Sequence, residues 1–206
     1  SAPAPRWVRP AGAEPAWDGL PVSFEDVERA RETLRGVSEV SPLQLSRSLT
    51  RAVGTDVHLK CENLQRAGSF KVRGAYVRMA GLSEEERARG VVAASAGNHA
   101  QGVALAAAKL GIRARIFMPR GVALPKLQAT RDHGAEVVLH GSTVDESLAE
   151  AQRWAAETGA VFIPPFDDPA IIAGQGTVGL EILDVVPDVD TCLLYTSDAA
   201  DEEDSV

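Results

Sequence analysis

From Val91 onward the chain repeats one device three times: a short run of apolar residues, a tight connection, and a helix-like stretch stopped by glycine. Val91-Val92-Ala93-Ala94-Ser95, Arg115-Ile116-Phe117-Met118, Val137-Val138-Leu139-His140 and Val161-Phe162-Ile163 are the runs. Their apolar residues are consecutive, so both faces of each strand are buried, as in a parallel sheet whose crossovers are helices. The crossovers are expected at Val103 to Leu110 closed by Gly111, from Pro125 to Gly134, and from a Ser142 cap through Trp154 to Thr158, closed by Gly159; a long helix then runs from Pro169 toward Leu183. The fold class is α/β: an open, mostly parallel twisted sheet with helices on both faces. Such sheets bind ligands beyond the carboxyl ends of their strands. The turn Ser95-Ala96-Gly97-Asn98-His99-Ala100-Gln101 lies at one of those ends.

Upstream, Ser23-Phe24-Glu25-Asp26 has the form of a capping box opening a helix that Gly36 ends. Pro42 holds Ser41 extended. Val57 to Cys61 reads as a strand, and Gly68-Ser69-Phe70-Lys71-Val72-Arg73-Gly74-Ala75 as the opening of a helix capped by Ser69, with Lys71 in its first turn. Ser83-Glu84-Glu85-Glu86 is a second capping box, starting a short helix toward Gly90. Residues 1–20, rich in proline, are expected to be a flexible extension, and no internal repeat is found.

The net charge is −8 and no basic run stands out, so nucleic acid is not an expected partner. No apolar run approaches the ~20 residues that span a bilayer. Two cysteines, Cys61 and Cys192, without CxxC spacing, fit a reducing, cytoplasmic setting and no metal cluster. His58, His133 and His140 are scattered and form no ligand pattern.

Two stretches can carry chemistry. A lysine in a first helical turn faces the positive end of the helix dipole, which disfavours the protonated amine and favours a nucleophilic one; a solvated surface lysine satisfies the same spacing. The Ser95 turn joins a strand to a helix through small residues, so free N–H groups at the helix start can hold a carboxylate or phosphate. An ordinary tight turn with a capping Asn98 fits equally, and His99 could be a packed, hydrogen-bonded ring as readily as an acid or base. The glycines of Gln175-Gly176-Thr177-Val178-Gly179 read as close helix packing or as a wall of the site.

Taken together, Lys60-Cys61-Glu62-Asn63-Leu64-Gln65-Arg66-Ala67-Gly68-Ser69-Phe70-Lys71-Val72-Arg73-Gly74-Ala75, Ala94 to Gly102, Pro165 to Pro169 and Ile172 to Thr177 resemble the serine/threonine dehydratases among the fold-type II pyridoxal-phosphate (PLP) enzymes. The resemblance covers about residues 22 to 190, the N-terminal half of such an enzyme. It implies that Lys71 carries PLP covalently, that Phe70 packs beside the cofactor ring, and that Asn98 bonds the ring oxygen. Ser95, Gly97, Asn98, His99 and Gln101 would surround the substrate carboxylate. It further implies β-elimination of L-threonine or L-serine to 2-oxobutanoate or pyruvate and ammonia, a small amino-acid substrate, and a homo-oligomer for the full-length enzyme. A racemase-like activity, another β-eliminating activity, or an inactive binding fragment are the alternatives. Racemases of this family carry a serine where this chain has Ala96, and a methyl cannot exchange a proton.

The chain departs from the family after Leu183. No glycine follows Gly179, whereas the family places a glycine run for the PLP phosphate there. Cys192 to Asp201 is similar to translated adapter sequence. The expectation is a truncated dehydratase domain over 21–190, a non-native tail over 191–206, and weak cofactor binding and turnover by the chain as written.

Overall fold

The computed structural model describes residues 21–194; the expected extension over 1–20 and residues 195–206 of the expected tail lie outside them. A layer of four parallel strands forms the centre: β3 (Val91–Ala94), β4 (Ala114–Met118), β5 (Glu136–Leu139) and β6 (Val161–Phe162). Their order is β5-β4-β3-β6, so β3 pairs with β4 on one side and with β6 on the other. All four residues of β3 are buried, as a strand covered on both faces requires. The parallel α/β expectation is thus borne out.

One face of the sheet is covered by α3 (Lys71–Ala80), α5 (Asn98–Leu110) and α6 (Leu124–Asp132); the core there joins Met79, Val103, Ala107, Ile116, Met118 and Ile163. On the other face α7 (Val144–Thr158) packs Ala151 and Trp154 against Val92, Ala94 and Phe117. Around this core lie α1 (Phe24–Thr33), α4 (Glu84–Arg89) and α8 (Pro169–Leu183). Gly111 and Gly159 end α5 and α7 in the left-handed conformation, at φ 67° and 73°, which only glycine adopts without cost. Both expected capping boxes form, Ser23 with Asp26 and Ser83 with Glu86. No helix among the described residues is long and apolar enough to cross a membrane.

Three local expectations are corrected. Phe70, not Ser69, is the N-cap of α3; the Ser69 hydroxyl accepts from the Lys71 N–H at 3.4 Å, one position early. Thr143, not Ser142, caps α7, because its hydroxyl reaches the Glu146 N–H. And α1 ends at Thr33, three residues before the left-handed Gly36. Two features were not expected: α2 (Arg47–Val53), and an antiparallel pair between β1 (Leu43–Leu45) and β2 (His58–Lys60), which forms a small layer of its own.

Candidate active site

Strands β3 and β6 are parallel neighbours, so their carboxyl ends open into the same space. Ser95 to Gly97 leaves β3 there, and Ile163-Pro164-Pro165 leaves β6. Lys71 meets this edge from α3. Its side chain is buried, at 1% exposure, and its Nζ donates to the Pro165 carbonyl at 2.9 Å. The Phe70 ring is half-buried, its centroid 5.9 Å from the same Nζ.

Glycines set how closely the helices approach the lysine. A Cβ on Gly102 of α5 would lie 2.9 Å from the Lys71 carbonyl carbon. A Cβ on Gly174 of α8 would lie 2.6 Å from the Gly74 Cα. These glycines let backbone pack on backbone, so α3 is wedged between α5 and α8 at the turn that carries Lys71. Of the two glycines read from Gln175–Gly179, Gly176 packs closely, a Cβ there lying 3.1 Å from the Val27 methyls, whereas a Cβ on Gly179 would meet nothing within 4 Å. Asp168 completes the clamp. One carboxylate oxygen caps α8 through the Ala170 and Ile171 N–H groups, and the other accepts from Arg78 of α3 at 2.8 Å.

The Ser95 turn is preorganised. Ser95 is buried, and its hydroxyl accepts from the Gly97 N–H at 3.1 Å. Gly97 is the N-cap of α5, Asn98 its first residue, and Asn98 and Gln101 are half-exposed in its first turn. The Gln101 N–H already donates to the Gly97 carbonyl at 3.4 Å, whereas the N–H groups of Asn98, His99 and Ala100 have no helical acceptor four residues back, which leaves them for an anion. His99 differs from its neighbours. Its ring is buried, at 2% exposure, with Nε2 3.0 Å from the Ile163 carbonyl. Burial pushes its pKa down to about 4, the nearby Lys71 charge acting in the same direction and the carbonyl opposing both. Its side chain is thus committed to the fold, and its backbone N–H is what it presents at the start of α5.

A buried ionic joint beside Lys71 was not expected from the sequence. Arg73 is fully buried. Its guanidinium donates to both oxygens of Glu181, at 2.7 and 3.0 Å, to both of Glu62, each at 2.9 Å, and to the Thr177 hydroxyl at 3.1 Å. Lys60 Nζ lies 2.6 Å from Glu181 and donates to the Ser41 carbonyl. Burial works against the Arg73 charge, and the bonds from Glu181 and Glu62 outweigh it, leaving its pKa raised. Burial likewise opposes the Glu181 charge, and Arg73 and Lys60 outweigh that, leaving its pKa lowered. Two cations and two carboxylates balance, as buried charges must. The joint ties the β1–β2 layer to α3 and α8. One sequence clue existed: Glu181 is the sole charged residue of α8.

This architecture defines an α/β protein whose site is a buried lysine amine beside an aromatic ring, next to a helix start furnished with free N–H donors at the carboxyl ends of parallel strands. A family profile described as "Pyridoxal-phosphate dependent enzyme" matches residues 35–199, and the chain belongs to that family. An L-threonine ammonia-lyase of Thermotoga maritima is 53% identical over 173 residues, which span 84% of this chain and 43% of that protein. A catabolic L-threonine dehydratase, TdcB, of Escherichia coli is 44% identical over 175 residues, 85% of this chain and 53% of the relative. Among solved structures, a serine racemase from maize superposes with a TM-score of 0.79 at 36% identity, over 82% of this chain and 51% of that one. The processed form of threonine deaminase isoform 2 from Solanum lycopersicum superposes at 0.75 and 42% identity, over 81% and 47%. The chain spans about half the length of the relatives it matches. Its α/β fold is that of the fold-type II PLP enzymes.

Proposed function

We propose that the chain is the part of a threonine ammonia-lyase that supplies the reactive lysine and the substrate-carboxylate loop, acting on L-threonine and L-serine. The carrying observation is that Gly102 of α5 packs on the Lys71 backbone while the Pro165 carbonyl accepts from the Lys71 amine, three residues far apart in sequence brought together at one buried lysine. The names of the relatives support the substrate. Ala96 stands where racemases have a serine, so no second proton carrier of that kind faces the substrate.

The residues present fit the pyridoxal ring and its covalent bond, while the glycine run that the family uses for the cofactor phosphate is not among them. Lys71 offers an amine for the covalent bond, Phe70 an apolar wall for the ring, and Asn98 a carboxamide for the ring oxygen. Bound there, the cofactor supplies an electron sink for a substrate deprotonated at Cα. The chain's own residues do the rest. The α5 start, with Ser95, Gly97, Asn98, His99 and Gln101, holds the substrate carboxylate through N–H and side-chain donors. With the carboxylate held there, the Cα hydrogen would face Lys71, whose amine would take the proton. The β-hydroxyl leaves as water, and the released enamine takes water back to give a 2-oxo acid and ammonia. The wider assembly, by the same reading, is a soluble cytoplasmic homo-oligomer.

The test is chemical capture. The 206-residue chain is incubated with pyridoxal phosphate, reduced with borohydride and mapped by peptide mass spectrometry, while 2-oxobutanoate release from L-threonine is followed. Cofactor on Lys71 above all other lysines supports the reading; label spread evenly over surface lysines would sink it.

A further inference from the structure

Lys71 and His99 start neighbouring helices and reach the same three residues. Lys71 Nζ donates to the carbonyl of Pro165, and His99 Nε2 bonds the carbonyl of Ile163. A carbonyl only accepts, so Nε2 carries the proton and donates. The Ile163 N–H is in turn held by the Val92 carbonyl at 2.9 Å. Both backbone groups of Ile163 are therefore fixed, one by strand β3 and one by His99. The next two residues are prolines, whose rings set φ near −65° and whose nitrogens have no hydrogen to donate. Little freedom is left between Ile163 and the oxygen that Lys71 holds.

We propose that His99 is a positioning residue: by anchoring the Ile163 carbonyl it aims the rigid Pro164-Pro165 step, so that the Pro165 carbonyl holds the Lys71 amine in place. This rests on the reading of Lys71 as the reactive amine, and assigns the His99 side chain a task different from substrate binding. Burial of the ring supports it, because a neutral donor costs less to bury than a charged one.

The test follows Lys71 without the cofactor. Reductive methylation by formaldehyde is timed at Lys71 by peptide mass spectrometry, with exposed Lys109 as the internal standard. In His99→Leu the donor is lost while apolar bulk remains. The step loosens, the amine loses its seat, and Lys71 labelling quickens by about fivefold relative to Lys109, the scale of one lost buried hydrogen bond. In His99→Gln an amide N–H replaces Nε2–H, and labelling stays near the wild-type rate. A His99→Leu chain labelled at the wild-type rate overturns the proposal, as does a His99→Gln chain that labels as fast as His99→Leu. Circular dichroism checks folding, and if His99→Leu does not fold, His99→Asn, whose amide stops short of the carbonyl, takes its place with the same expected gain. Pyridoxal phosphate capture by the wild type is measured alongside. Its failure counts against the proposed function alone, and the formaldehyde result still decides the role of His99.

Discussion

Gly74 of α3 and Gly174 of α8 touch backbone to backbone: a Cβ built on Gly174 falls 2.6 Å from the Gly74 Cα and 2.8 Å from the Arg73 carbonyl oxygen. Neither neighbour is a flexible side chain that could swing away. Gly174→Ala should therefore force the helices apart and destabilise the fold by about 1–3 kcal/mol or more. Gly179→Ala, where a Cβ meets nothing within 4 Å, should be tolerated and, as a helix-interior change, stabilise slightly. Urea unfolding of the two variants checks this; equal midpoints would contradict the close-packing account.

Lys71→Ala should abolish covalent capture of pyridoxal phosphate and lower any threonine-dependent 2-oxobutanoate release by on the order of 10³-fold, within the range for loss of an acid–base group. Lys109→Ala, an exposed control, should change neither. Borohydride trapping and a 2-oxo-acid assay read both. A Lys71→Ala chain that still captures cofactor at one site would place the reactive amine elsewhere.

The ionic joint predicts an asymmetry. Glu181→Gln leaves Arg73 and Lys60 short of a countercharge in a buried setting and should cost about 3–5 kcal/mol. Breaking the solvent-screened Arg153–Glu150 pair on α7 should leave stability nearly unchanged. Denaturant titrations of Glu181→Gln and Glu150→Gln distinguish the two. Similar small losses in both would show that the buried joint is dispensable.

Stability should also depend on pH through His99. Its pKa is lowered in the folded chain from 6.5 to about 4, so the unfolded chain binds the proton first as pH falls. Above about pH 6.5 both states are neutral there and nothing is lost. Between 6.5 and about 4 the fold loses about 1.4 kcal/mol per pH unit from this group, about 3 kcal/mol in all. His99→Gln removes that titration, so its urea midpoint should fall less steeply over the same range. Parallel pH profiles for wild type and variant would rule the effect out.

The central layer was legible because its physics is local. The short β-branched run at Val91–Val92 followed by Ala93–Ala94, bounded by Gly90 and the small-residue turn at Ser95, fits a strand hidden on both faces, and Gly111 and Gly159 mark where helices stop. Strand β2 was read from Val57 to Cys61, but β1 and its pairing with β2 were hidden for the opposite reason. The two strands are three residues each, with Leu45 and Leu59 largely exposed, so no alternation of burial was written into them. In α2 no residue is buried, and without an apolar stripe there was no period to read. The long-range pairings were the hardest. Arg73 and Glu181 are 108 residues apart, and although Glu181 stands alone as a charge on α8, nothing near it names Arg73 as its partner. The lysine and the loop could be read as candidate site residues, but that the His99 ring turns to Ile163 depends on where β6 lies, which no residue near His99 encodes.

The placement of the lysine has a consequence for how the chain is made. Lys71 and the carbonyl that holds it are 94 residues apart, and β6, which carries that carbonyl into position, pairs with β3 across two intervening helix–strand units. Strands β3, β4 and β5 can assemble while the ribosome is still supplying the rest, because each contacts the next along the chain. The amine cannot find its seat until Pro165 has emerged. During synthesis the side chain proposed to react is thus among the last to be put in order, and a nascent chain halted before that point would present an unplaced lysine on an otherwise half-built sheet.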